Sequence, residues 1–308
     1  MATIRRYSLA DVLAGNKTLF NVNNLGTPPS DYDTVSKACD TGNWIDLFHK
    51  DKYLVIELKP VDVKWILEAF EIGCITGSFP KTFADELEET CKPFPDFDQG
   101  YFVRTDRCSL KYGCHGPGPY SSMRSIIESI TTSTYTHAPL KAGCSNKIYL
   151  MPWLNLDSSR EFRAFVCNNT ITAVSTQHLY TVNNWLNELT DAEIQALILD
   201  LDSYFRAHIC AKMGWLGSYV MDIYYIGPNS WYFIEPNPFG ACYSSGSALF
   251  HWETDHEVLT KPGTIELRYT SQEWVLLMNY NSSIVLVYWE AATTISFSSS
   301  GWSFIASA

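Results

Sequence analysis

The sequence predicts an α+β fold with largely antiparallel sheets, and three patterns carry that expectation. Residues 161–167 and 171–177 alternate around Asn168-Asn169, a pair suited to a tight hairpin turn with two positive φ angles. Residues 220–226 and 231–238 are apolar, aromatic and β-branched, and Gly227-Pro228-Asn229-Ser230 between them is strong turn chemistry. One long helical pattern lies between the two hairpins, and this order favours sheets built from neighbouring strands.

The elements follow from residue type. Residues 1–50 are mixed, with a polar, proline-containing stretch at 26–34. Residues 54–58 (Leu-Val-Ile-Glu-Leu) predict a strand, 63–72 a short amphipathic helix, and 78–99 a helix followed by a loop. A strand is expected at 100–104, then a flexible Gly/Pro loop at 113–119. Ser121 and Ser122 offer caps for a helix reaching about Ile130, and 147–154 is an apolar strand. Thr190 and Glu193 form a capping box that opens the clearest helix, 191–212, with Gly214 as its stop. From 264 onward strand-like runs alternate with short polar breaks.

The totals exclude several classes. The chain has 308 residues and 46% hydrophobic content, enough for one large or two modest domains. Its 22 basic against 33 acidic residues give a net charge of -11, which argues against extended nucleic-acid binding while leaving room for a local basic pocket. No run is long and apolar enough to span a bilayer, and the N-terminus lacks the apolar core of a signal peptide. Nine scattered cysteines without a regular framework fit reduced thiols, so a cytoplasmic location is expected. Cys108, Cys114, Cys144, His115 and His178 lack zinc-ligand spacing, and no hydrolase triad pattern is present.

The second hairpin carries the most chemical information. If Ile226 pairs with Trp231, Asp222 falls opposite Glu235, and two like charges facing across a ladder are destabilising unless a cation lies between them. Asn237 shares the face of Glu235 by strand alternation. Asp222, Glu235 and Asn237 therefore read as a hard-oxygen set for Mg²⁺, with phosphate oxygens completing the coordination. The same letters also fit a hydrogen-bonded strand acid, an exposed glutamate and prolines that end a strand.

Three further segments point to phosphate and base. Glu161 and Arg163 share one strand face, and a fixed guanidinium there suits phosphate oxygens; a surface ladder is the competing reading. Arg104, Arg107 and Lys111 precede the Gly-rich loop, whose N–H groups can cradle phosphates, although no Walker pattern is present and a solvated basic turn fits equally. Residues 149–154, with Met151 and Trp153, could wall an adenine or could be an ordinary core strand.

The order of these motifs resembles the cell division cycle protein 123 family, a branch of the ATP-grasp superfamily. The resemblance spans roughly residues 100–270 and rests on Glu-Phe-Arg-Ala-Phe-Val from 161, on Asp222 with Ile-Glu-Pro-Asn-Pro-Phe from 234, and on Leu-Phe-His-Trp-Glu from 249. It implies an ATP-grasp fold whose two lobes clamp Mg-ATP. The first lobe and N-terminal region would occupy 1–145, and the second lobe, metal hairpin and C-terminal strands 146–308. Arg104, Lys111, Lys147, Met151, Trp153, Glu161 and Arg163 would serve the nucleotide, and Asp222, Glu235 and Asn237 the Mg²⁺. Arg104 stands where the family carries a lysine, Glu235 where an aspartate is usual, and Thr176-Gln177-His178 where it has Ser-Gln-Arg.

Two functions of different class follow from the resemblance. One is an ATP-bound assembly chaperone that docks the gamma subunit of eukaryotic translation initiation factor 2. The other is an ATP-grasp ligase that joins a carboxylate to an amine or acts on RNA ends. Lys111, Arg107 and His178 would then stabilise developing charge. No catalytic residue is assigned.

Overall fold

The computed structural model describes residues 2–143, 145–272, 275–278, 284–288, 293–298 and 301–306. Thirteen strands are described: β1 (Ala2–Ser8), β2 (Leu54–Glu57), β3 (Tyr101–Thr105), β4 (Lys147–Pro152), β5 (Glu161–Cys167), β6 (Thr170–Thr176), β7 (Tyr219–Gly227), β8 (Ser230–Pro238), β9 (Ile265–Ser271), β10 (Val275–Met278), β11 (Ile284–Tyr288), β12 (Thr293–Ser298) and β13 (Gly301–Ala306). They form three sheets, ordered β1-β9-β6-β5-β7-β8, β2-β4-β3 and β10-β11-β12-β13. Pairing is antiparallel except at β1/β9 and β6/β9, which are parallel. The α+β class with largely antiparallel sheets is therefore the class observed.

The first lobe is the three-stranded sheet covered by the helices Pro60–Thr76 and Met123–Thr132. Pro60 opens its helix at a position where a missing N–H costs nothing, and Gly77 ends it in the left-handed conformation. This helix is longer than the predicted 63–72. Ser122 caps the second helix by accepting from Ser125 N–H, as its sequence suggests. Trp65, Ile66, Val103, Ile126, Ile127, Ile148 and Leu150 share one core beneath the sheet.

The six-stranded sheet of the second lobe buries both faces. On one face Phe162, Ala164, Val166 and Met221 pack with Ile194, Ile198 and Leu201 of the long helix and with Trp44 and Ile45 of the helix Thr41–His49. On the other, Phe165 and Val220 meet Phe250 and Trp252. The capping box at Thr190 forms, but the helical run is not uniform: Asp191–Tyr204 gives way to a π-helical turn, Phe205–Ile209, before Cys210–Met213. Asp200 on this run accepts from Asn229 N–H at 2.9 Å and Trp231 Nε1 at 2.7 Å, which ties the helix to the turn of the β7–β8 hairpin.

Both hairpins form. Asn168 and Asn169 have φ of 49° and 58°, the two positive values expected of that turn. In the other hairpin Asp222 does face Glu235, by a different route from the one expected. Tyr225, and not Ile226, pairs with Trp231, Gly227 pairs with Ser230, and register shifts on both sides of the 223–225 run compensate each other. The turn is thus the two residues Pro228-Asn229, with Asn229 at φ 54°.

The sheets do not divide at 145/146. β4 lies beyond that boundary yet is the central strand of the first-lobe sheet, and β1 crosses to pair with β9 at the edge of the second. Pairings this distant leave no local pattern, which is why residues 1–50 read only as mixed. The tail expected to be strand-like from 264 supplies β9 to the large sheet and the β10–β13 meander.

Candidate functional site

One row of polar residues crosses the large sheet. Register sets Arg268 of β9 beside Ser175 of β6, Ser175 beside Arg163 of β5, Arg163 beside Asp222 of β7, and Asp222 beside Glu235 of β8. Directly opposed residues share a face, so these side chains stand on one side of the sheet. Arg163 donates to both oxygens of Asp222, Nε to Oδ1 at 2.8 Å and Nη2 to Oδ2 at 2.7 Å. Its remaining Nη1 donates to the Gly246 carbonyl at 2.7 Å. Asn237 Nδ2 and Gln177 Nε2 approach Asp222 Oδ2 at 3.3 and 3.4 Å. The like-charge clash between Asp222 and Glu235 is therefore relieved by protein cations: Arg163 serves Asp222, and Arg104 serves Glu235.

Arg104 comes from the other sheet. It is 3% exposed, and its Nη2 donates to Glu235 Oε2 at 2.7 Å. Its Nε donates to Thr41 Oγ1 at 2.9 Å, and its guanidinium lies 4.9 Å from the Trp44 ring centroid. The helix Thr41–His49 is itself anchored to the first lobe, because Asp106 Oδ1 accepts from Gly42 N–H and Tyr149 Oη, both at 2.8 Å. A carboxylate at a helix N-terminus satisfies an otherwise orphan N–H.

Between the sheets lies a cavity of about 720 Å³, within the range of small-molecule and cofactor sites. Arg104, Lys111, Met151, Trp153, Glu161, Arg163, Asp222, Glu235 and Asn237 all line it. Lys147, expected with them, does not: it is exposed at the start of β4, paired in register with Glu57. Four basic side chains, Arg104, Arg107, Lys111 and Arg163, face three carboxylates, Glu161, Asp222 and Glu235. A cationic surplus in a chain of net charge -11 marks this cavity as a place for an anion.

Burial alone would lift the Glu235 carboxyl, but the charges of Arg104 and Lys111 and the Arg104 hydrogen bond outweigh it and hold it down at about 2. Asp222 is pushed upward, by burial first and also by Glu235, against the pull of the Arg163 fork. His178 lies 3.5 Å from Glu161, which raises its pKa. The oxygen set suits a hard cation: Asn237 Oδ1 remains once Nδ2 has turned to Asp222, and Glu235 Oε1 accepts no hydrogen bond from a described residue. Met151 and Trp153 form an apolar wall at the end of β4, where the Trp153 N–H is already committed to the Gly100 carbonyl at 3.1 Å.

Sequence patterns marked Leu249 and Phe250 within a motif but gave no role to the segment that roofs this site. The stretch 244–250 lies across the polar row: Gly246 carbonyl accepts from Arg163, Leu249 N–H donates to Ser175 Oγ, and Leu249 carbonyl accepts from Arg268. Arg268, 2% exposed, also forks onto Asp255 with two 2.7 Å contacts and reaches Glu266 at 2.6 Å. The isolated arginine in Ile-Glu-Leu-Arg-Tyr carries no motif; only its place in an apolar strand hints at a buried partner. Asn21 and Asn23, from the unmatched N-terminal region, also line the cavity.

A family model described as D123 matches residues 124–284, just over half of the chain. The fold is similar to that of C-terminally truncated Cdc123 from Schizosaccharomyces pombe, at TM-score 0.53 and 17% identity, covering 77% of this chain and 97% of that one. A second structure, Cdc123 from the same organism, gives TM-score 0.50 and 16% identity, covering 78% and 98%. A more remote likeness, TM-score 0.36 at 12% identity over 77% of this chain and 64% of the other, is to D-alanine-D-alanine ligase from Helicobacter pylori. No curated protein matches the chain by sequence.

Proposed function

The chain belongs to the D123 family, and from that premise we propose that it binds Mg-ATP between its two sheets and acts as an assembly chaperone for translation initiation factor 2, docking the gamma subunit. The observation that carries the nucleotide reading is the cavity itself. Four basic side chains, Arg104, Arg107, Lys111 and Arg163, line it beside the oxygen set of Asp222, Glu235 and Asn237, with Met151 and Trp153 as an apolar wall.

In this reading Arg104, Lys111 and Arg163 hold phosphate oxygens, Met151 and Trp153 flank the base, and Glu161 orients His178 at the rim. Asp222, Glu235 and Asn237 hold Mg²⁺, which when bound neutralises phosphate charge. The Arg104–Glu235 ion pair releases on binding, so that one partner turns to phosphate and the other to the cation. Among the described residues no helix is long and apolar enough to cross a membrane. The scattered cysteines, which suit a reducing compartment, are the ground for proposing a cytoplasmic location. Nucleotide then organises a surface for the partner and no covalent product is required. Pull-down of the isolated gamma subunit with and without Mg-ATP tests this: capture that depends on nucleotide supports it, and capture indifferent to nucleotide or absent overturns it.

One observation favours the ligase alternative. Arg107, Lys111 and His178 line the same cavity and could stabilise charge on a second reactant. Release of ADP or AMP that depends on an added carboxylate, amine or RNA end would establish that reading.

A further inference from the structure

Among the described residues, one group of mixed metal-ligating side chains stands apart from the nucleotide cavity. Cys114, His115 and Glu128 each offer a donor atom within 4.8 Å of the other two. Cys114 and His115 are adjacent on the Gly/Pro loop, and Glu128 projects from the helix Met123–Thr132. The local sequence shows only a Cys-His dipeptide, because the third donor arrives through tertiary packing.

The packing that places these donors is tight. At Gly113 an added Cβ would fall on the carbonyl oxygen and Cβ of Ser129, so the loop can rest on the helix only with glycine there. The next two N–H groups are both satisfied by that helix. Cys114 N–H donates to Thr132 Oγ1 at 2.9 Å, and His115 N–H donates to Ser129 Oγ at 3.3 Å. His115 Nε2 lies 2.7 Å from Glu128 Oε2, and Arg124 Nη1 faces the other carboxylate oxygen at 3.9 Å. The backbone carrying the donors is thus fixed before any ligand arrives, as a preformed site requires.

We propose that Cys114, His115 and Glu128 form a site for a borderline divalent metal ion of the Zn²⁺ type, which clamps the Gly/Pro loop to the helix. The donor set is one sulfur, one imidazole nitrogen and one carboxylate oxygen, a combination that suits Zn²⁺ and disfavours Mg²⁺ and Ca²⁺. Three protein donors leave the fourth tetrahedral position to water or an exogenous ligand, consistent with the exposure of Cys114 and His115. Binding takes the thiolate, so the Cys114 proton is released to solvent as the metal–sulfur bond forms. The clamp bears on the nucleotide cavity through the same loop: Pro117 lines the cavity, and an added Cβ at Gly118 would meet Trp153 at 3.2 Å.

The test uses Co²⁺ as a spectroscopic stand-in for Zn²⁺ on the full chain after chelator treatment, with reducing agent present. The site predicts a single equivalent of Co²⁺ with thiolate charge-transfer and tetrahedral d–d absorption, displaced by Zn²⁺ and unaffected by excess Mg²⁺. In Cys114→Ser, an exposed change that leaves far-UV circular dichroism intact, the thiolate band disappears. In Glu128→Gln, Co²⁺ affinity falls at least roughly ten-fold. A band that survives in Cys114→Ser places the metal on other cysteines and overturns the proposal. So does full affinity in Glu128→Gln, displacement by Mg²⁺, or no visible band in the wild type at saturating Co²⁺.

Discussion

Arg104 on the small sheet donates to Glu235 on the large one at 2.7 Å, and this ion pair bridges the cavity between them. Neither group is free to leave without consequence, because Arg104 is 3% exposed and rests on Trp44 and Thr41. Removing one partner of a buried pair leaves an uncompensated charge, and that costs more than the pair contributes when intact. Arg104→Met is therefore expected to lower unfolding free energy by about 3 kcal/mol. Glu235→Gln keeps an acceptor for Arg104 but leaves the more deeply buried guanidinium without its counter-charge, so it should lose a comparable amount. Urea titration of the two variants reads both losses, and a neutral result in either would contradict the account.

The same pair has a pH signature. The folded Glu235 pKa, at about 2, is below its ordinary value of 4.5. A depressed carboxyl contributes stability that is full above its unfolded pKa and is lost as pH falls through the folded one. The contribution should thus fade between about pH 4.5 and 2, and Glu235→Gln should lose less stability than wild type across that window. Equilibrium denaturation at stepped pH reads the difference; parallel curves would contradict it.

Asp40 behaves in the opposite sense. Burial first, and Asp106 second, lift its carboxyl from 3.8 to about 6. A raised acid binds its proton more tightly when folded, so stability falls as pH rises from about 3.8 to 6. At pH 7 Asp40→Asn should therefore raise the melting temperature. A lower melting temperature than wild type would show that Asp40 is held as a needed charge.

How much of this site could be read from the letters depends on distance along the chain. The Asp222–Glu235–Asn237 set lies within one hairpin, so turn chemistry and alternation were enough to bring it together. Even there the bulges were invisible, and Asp222 faces Glu235 only because two register shifts cancel. The need for a cation between the two acids followed from charge alone. That arginines meet it did not, since Arg104 arrives from another sheet. Lys147 was expected at the site with Met151, yet it lies exposed at the far end of the same strand, opposite Glu57. Arg268 carries no pattern, and the motif that begins at Leu249 gives no hint of the arginine it meets, because that contact is made between distant segments.

Arg268 offers a test of that segment. It lies in the polar row but does not line the cavity, and it holds Asp255 and the Leu249 carbonyl. Arg268→Met should leave Asp255 partly buried and unpaired, with a loss of about 3 kcal/mol. Hydrogen exchange should then rise in 244–260 before it rises in β5 or β7. Uniform loss of protection across the large sheet would contradict this local role.

Gly73 sets the closest approach of the two first-lobe helices, where an added Cβ would strike the Thr131 carbonyl oxygen. Backbone cannot yield as a flexible side chain can. Gly73→Ala should therefore destabilise by about 2 kcal/mol despite the better helix propensity of alanine. A neutral or stabilising result in thermal melting would mean that the helices separate freely.

The central claim is that the cavity between the sheets takes Mg-ATP, and thermal melting of the wild-type chain tests it most directly. With ATP at about 100 times its dissociation constant, ligand binding adds roughly 2.7 kcal/mol. The account predicts a rise in melting temperature with ATP and Mg²⁺ together, a smaller rise with either omitted, and loss of the Mg²⁺ dependence in Glu235→Gln. No shift with ATP, ADP, AMP or GTP, with or without Mg²⁺, would contradict it and leave the Arg104–Glu235 and Arg163–Asp222 pairs as scaffold alone.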